Sequence, residues 1–182
     1  MWPAGLQLAR IYDPALHGAT ALGFRSPGPF ARFDHHVGGA DRGITYAAER
    51  LSGSLVEVAG DTGICYCGTR RYTRFAPTRE LRLLDLSVNG VRQAGTIAKV
   101  TSCEHTESQP WARYFYENPD VYGALDGLYY PNAHNFEMAI ALFERARDAM
   151  PARPLFDRKL WSRVHMAELL LAGELTNIAV YR

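Results

Sequence analysis

Apolar and polar residues alternate along Leu6-Gln7-Leu8-Ala9-Arg10-Ile11-Tyr12 before Asp13-Pro14, a pattern that predicts a first strand closed by a turn. Residues 17–43 carry no period and are rich in Gly, Pro, Asp and His, a long irregular segment of the kind that is usually functional when ordered. Residues 43–46 are short and β-prone. Apolar positions 47, 48, 51, 55 and 58 then follow a helical period as far as Ala59, and Gly60-Asp61 ends it. The middle of the chain has strand composition at 64–68, 72–75 and 81–86, and a polar, helix-like passage opens at Ser87-Val88-Asn89-Gly90. Ser108-Gln109-Pro110 is a helix start signal leading into Trp111 and Tyr114-Phe115-Tyr116, which read as core. Residues 126–131 predict a turn and short strand, and 138–143 a buried strand. Residues 157–172 predict an amphipathic helix with Leu160, Val164, Ala167, Leu170 and Leu171 on one side. Strands and helices mixed without regular β-α-β alternation point to an α+β fold.

The chain has 182 residues, 47% hydrophobic and 21% charged, enough for one core and short for two, so residues 1–182 are read as a single domain. A formal net charge of +1 offers no general attraction to nucleic acid or anionic lipid, and direct nucleic-acid binding is not expected. The cations are nearly all Arg, with Lys only at Lys99 and Lys159. Arg suits phosphate and carboxylate, although GC-rich coding produces the same bias. No run approaches the roughly 20 apolar residues of a membrane span, and the start lacks a secretory signal pattern. Cys65, Cys67 and Cys103 read as reduced thiols of a cytoplasmic protein. A zinc site could be drawn from them with His105, but Cys65 and Cys67 look like alternating strand positions, and no metal is expected. A homo-oligomer is compatible with the sequence, which marks no surface for it.

Several segments, taken in order, resemble the RES domain family. They are Arg10 at the end of the opening strand, Arg32-Phe33-Asp34 in a Gly-rich stretch, and Thr45-Tyr46-Ala47-Ala48 at a strand end. Glu57 follows on the next helix, eleven residues after Tyr46, and then come Ser108-Gln109-Pro110-Trp111-Ala112 and Asp126-Gly127-Leu128-Tyr129-Tyr130-Pro131. The likeness runs from about residue 6 to 143. It implies a fold similar to ADP-ribosyltransferases, with a central mixed, mostly antiparallel sheet flanked by helices. It also implies that NAD is a substrate rather than a cofactor, that phosphate serves as acceptor in an NAD phosphorylase reaction, and that an antitoxin protein is the partner. ADP-ribosyl transfer to protein and simple hydrolysis are the alternatives within enzymes. The chain departs from the family at Asn132, which stands where the family has Ser, and this leaves a binding module of weakened activity as the reading from another class. Arg42 rivals Arg32 for the loop position.

The residues suit that chemistry. Breaking the nicotinamide–ribose bond builds positive charge on the sugar, which a carboxylate stabilises, and Glu57 stands among apolar Leu55, Val56, Val58 and Ala59. Catalytic roles are therefore expected for Glu57, Arg32 and Asn132, and substrate contacts for Arg10, Tyr46, Arg42, Tyr130 and His134. Arg10 and Arg32 would hold the pyrophosphate or an incoming phosphate. Tyr46 taken alone reads as a core aromatic. No Gly-x-Gly-x-x-Gly joins a strand to a helix, so hydride transfer of the Rossmann type is unsupported. His35-His36 reads as solvent-exposed loop.

Overall fold

The computed structural model describes residues 1–36 and 42–182; part of the irregular 17–43 segment, residues 37–41, lies outside the described residues. Seven strands form one mixed sheet in the order β5-β6-β7-β2-β1-β4-β8. They are β1 (Leu8–Tyr12), β2 (Ile44–Ala48), β4 (Arg71–Phe75), β5 (Leu83–Asp85), β6 (Gly127–Pro131), β7 (Met138–Phe143) and β8 (Phe156–Lys159). Only β5 and β6 run parallel; the other neighbours are antiparallel. A separate two-stranded parallel ribbon pairs β3 (Ile64–Tyr66) with β9 (Ala179–Tyr181). The α+β single domain and its mixed sheet are as the sequence indicated.

Helices cover the sheet as its side-chain alternation requires. Helix α1 (Leu51–Ala59) buries Leu51, Leu55 and Val56 against Ala9 and Ile11 of β1, and α5 (Met166–Thr176) backs onto α1 through Leu169 and Ala172. Around β7, a second cluster packs Phe143, Ala141 and Ala139 against Phe115 and Ala112 of α3 (His105–Glu117). Two one-turn helices, α2 (Gly90–Gln93) and α4 (Pro119–Tyr122), flank that side. A third cluster sits under Leu8, Phe75 and Ile140.

Three elements differ from the sequence reading. Ala47 and Ala48 belong to β2, so Tyr46 is a strand residue and α1 starts only at Leu51. Helix α3 begins at His105, which leaves Pro110 inside it. Contacts to a distant loop override the local signal: the His105 ring lies 3.0 Å from the Phe30 carbonyl, and Ser108 donates to the Arg32 carbonyl at 2.8 Å. The 157–172 helix is a strand followed by a shorter helix. Pairing of Arg71 through Arg74 with Lys159 through Phe156 captures the first part as β8. Leu160 is buried, whereas Val164, Leu170 and Leu171 face outward.

Candidate active site

Strands β1 and β2 share a single register pair, Ala9 with Ala48, and then part. Residues of both lips, Arg10 to Tyr12 and Ile44 to Ala47, line a cavity of about 470 Å³, within the roughly 300–1,000 Å³ of small-molecule sites. The gap in the sheet is thus the floor of a pocket. Helix α1 adds Glu57 and the loop behind it Asp61, the 30–32 turn adds Arg32, and the loop after β6 adds Ala133 and His134.

The pocket is electrostatically divided. Arg10 is buried, and its guanidinium donates to the Gly23 carbonyl at 2.9 Å and to the Thr45 hydroxyl. Burial pushes its pKa down to about 10, with Arg25 adding repulsion and Tyr12 opposing it. Arg32 donates to the Cys103 carbonyl and Arg70 to the Tyr66 carbonyl. Among the described residues, none of these three cavity-lining arginines has a carboxylate within ion-pair distance. A guanidinium held by carbonyls keeps its charge free of a direct ion pair and available to an anionic ligand, although Asp13, Glu57 and Asp61 line the same cavity and Arg32 acts on Glu57 through space.

Glu57 lines the cavity and is exposed to its solvent. Removal from bulk water pushes its carboxyl up to about 7, against the pull of Arg32 and of the Tyr130 hydroxyl. That hydroxyl, buried behind the cavity wall, points at Glu57 Oε1 from 3.5 Å. His134 packs on the end of α1, where a Cβ at Gly60 would come within 2.7 Å of its ring, so glycine there permits the approach. Its Nε2 lies 3.5 Å from Asp61.

Arg32 is held in place by a hub at Asp34. This buried carboxylate accepts from the Phe30 and Ala31 amides at 2.6 and 3.0 Å, from Arg25 at 2.7 Å and from the Tyr46 hydroxyl at 2.9 Å. Burial alone would raise its pKa; the Arg25 and amide bonds outweigh that and hold it below the usual carboxylate value. Tyr46 also accepts the Phe33 amide at 3.1 Å, and Gln109 of α3 donates to the Ala31 carbonyl at 3.1 Å. The Tyr46 hydroxyl is therefore committed to the turn, and only its ring is left to face the cavity.

The structure brings Arg10, Arg32, Tyr46, Glu57 and His134 to one cavity and sets the other three candidates apart. Tyr130 stands behind Glu57. Asn132 is buried and spends its side chain on its own turn: Oδ1 accepts the His134 and Asn135 amides at 2.9 and 3.0 Å, and Nδ2 donates to Asn135 at 2.7 Å. Arg42 pairs with Glu117 at 2.7 Å and lies 4.6 Å over the Tyr116 ring, away from the cavity. His35 and His36 are buried rather than exposed. His35 meets Glu144 at 3.1 Å, and its rings of contact are Tyr116 and Phe143; burial, partly offset by Glu144, lowers its pKa. Sequence reasoning missed Arg25 and Arg70, which lie outside any motif, and gave Thr45 no role although it stands in the family-like segment beside Tyr46. Among the described residues, no three His, Cys, Asp or Glu side chains gather as a metal site, and no helix is long and apolar enough to cross a membrane.

Comparison with known proteins agrees with this architecture. A family model, the RES domain, matches residues 7–162. No curated protein sequence matches the chain. Among solved structures, a chain in the crystal structure of the M. tuberculosis MbcT–MbcA toxin–antitoxin complex is similar, with a TM-score of 0.59 and 14% identity, over 96% of this chain and 90% of that one. At that identity the likeness concerns the fold.

Proposed function

This chain belongs to the RES domain family, and from that premise we propose that it breaks the nicotinamide–ribose bond of NAD with inorganic phosphate as acceptor, acting in the cytoplasm as the toxin of a toxin–antitoxin pair. One observation supports the reading: Glu57 shares a cavity of about 470 Å³ with Arg10, Arg32 and Arg70, three guanidiniums without a direct ion pair among the described residues, beside Asp13 and Asp61. Arg10 and Arg32 receive the pyrophosphate or the acceptor. Ionised Glu57 faces the ribose and stabilises the cation that forms as the bond to nicotinamide lengthens. The bond pair leaves with nicotinamide, which becomes neutral and needs no general acid. An acceptor oxygen then forms the new bond at the anomeric carbon, and its proton passes to solvent. A cationic substrate beside Glu57 draws that carboxyl toward its ionised form, so substrate binding prepares the group.

The test is purified protein incubated with NAD, with and without phosphate. Nicotinamide release that depends on phosphate, with ADP-ribose 1-phosphate as co-product, supports the proposal. Free ADP-ribose supports hydrolysis instead, and labelled protein supports ADP-ribosyl transfer. Asn132 favours a second reading, a binding module of weakened activity, because its side chain is consumed by its own turn. NAD that binds and stays intact supports that one. The toxin assignment draws on the family and on the toxin–antitoxin complex that its structural neighbour comes from. It is tested by co-purification with the product of the adjacent gene.

A further inference from the structure

Helix α5 is apolar nearly all round, yet only half of it is covered. Leu169, Ala172 and Gly173 turn to α1 and to the β3–β9 ribbon, where a Cβ at Gly173 would lie 2.9 Å from Val180. At 100° per residue, Ala167, Leu170, Leu171, Glu174 and Leu175 fall on an outward arc of about 140° with Glu174 its single charge. A surface helix normally turns polar residues outward, and an apolar circumference signals burial on both sides.

The open face runs along the helix. Exposures of 51% for Leu170, 54% for Leu171, 71% for Leu175 and 75% for Val164 leave on the order of 400 Å² of apolar surface uncovered, within the roughly 300–600 Å² of the largest, often functional, patch on a typical monomer. The charges at its ends have opposite sign. Arg163 precedes the helix and Glu174 lies near its other end; both are exposed, and neither has an ion-pair partner among the described residues.

We propose that α5 docks antiparallel against α5 of a second copy of this chain, forming a twofold dimer. Positive and negative ends around an apolar centre are complementary to themselves only in that antiparallel arrangement. About one centre, Arg163 then faces Glu174 of the second copy and Leu170 packs beside its small Ala167. Because α5 backs directly onto α1, the dimer stiffens the helix that carries Glu57 from behind, while the cavity stays open on the opposite side of α1.

The test is the mass of the full chain in solution by sedimentation velocity across a concentration series. Wild type is expected at twice the chain mass. Leu171→Glu with Leu175→Glu, both at exposed positions, should weaken the dimer about a hundredfold with an unchanged thermal melt of the monomer fold. Arg163→Glu or Glu174→Arg alone should weaken it several-fold, and the two together should recover most of the loss. A wild type that stays monomeric overturns the proposal, as does a dimer indifferent to these substitutions or a face that engages only a different protein.

Discussion

Replacing Glu57 with Gln separates what the carboxylate does for catalysis from what it does to stability. In the folded protein its carboxyl is pushed from the ordinary 4.5 to about 7, chiefly because the surrounding protein displaces water. A raised acid is compatible with folding while protonated and opposes it once ionised. The opposition is therefore absent below about pH 4.5, grows between there and 7, and is complete above 7. At about 1.4 kcal/mol per unit the shift has a ceiling of about 3 kcal/mol. The carboxylate is open to cavity water on one side, which screens it, so about 1 kcal/mol is the expected effect. Glu57→Gln keeps the shape and removes the charge. It should melt with wild type near pH 4 and about 2–4 °C above it near pH 8.5. The same variant should lose NAD cleavage by about a hundredfold or more. Paired melts at the two pH values and a nicotinamide-release assay decide the matter. A variant no more stable than wild type at pH 8.5 refutes the burial argument, and a folded variant with full activity removes Glu57 from the reaction.

Other substitutions test the remaining geometry. Arg10→Ala should weaken NAD binding, measured calorimetrically, by about 10- to 100-fold, the worth of a buried charged hydrogen bond. Asn132→Ala strips two part-buried amides of their acceptor and should lower stability by about 0.5–1.5 kcal/mol in urea unfolding; a loss of turnover without that destabilisation would argue for direct contact with substrate. Arg42→Ala removes the Glu117 pair, a bond to the His35 carbonyl and a contact with the Tyr116 ring, so it should cost about 1–2 kcal/mol and leave NAD turnover within twofold. The kcat/KM of wild type, which reports the free enzyme, should decline as pH falls through about 7 because protonation removes the Glu57 charge, with the acid limb of kcat lower because bound substrate favours the ionised form; a kcat/KM limb well below 7 contradicts the raised carboxyl.

Much of the scaffold was legible because it rests on local periodicity. The alternation at 6–12 locates β1, although all five of its residues are buried rather than one face, the run at 138–143 is the buried β7, and of the apolar positions 47, 48, 51, 55 and 58 only 51, 55 and 58 fall on α1. What failed depended on distant partners. Residues 156–159 become a strand only because β4 offers an edge, and α3 starts early because a turn some seventy residues away receives its first side chains. In the site, Arg10 and Glu57 stood out as charges in apolar surroundings. Arg25 and Arg70 did not, since their places at the cavity follow from where loops cross. Tyr130 and Asn132 were visible as motif residues, but whether such a side chain reaches the cavity or braces it from behind is a matter of tertiary packing.

The Asp34 hub concentrates the integrity of the pocket in one atom group. Its four partners are two amides, a strand tyrosine and an arginine, the last of which also lies over the Phe30 ring. Loss of this carboxylate is therefore expected to loosen the segment that presents Arg32, which the bonds to α3 and to Tyr46 still hold, while no sheet pairing depends on it. Under the proposed function, a lesion that weakens activity and spares the fold is thus available at a residue outside the cavity lining.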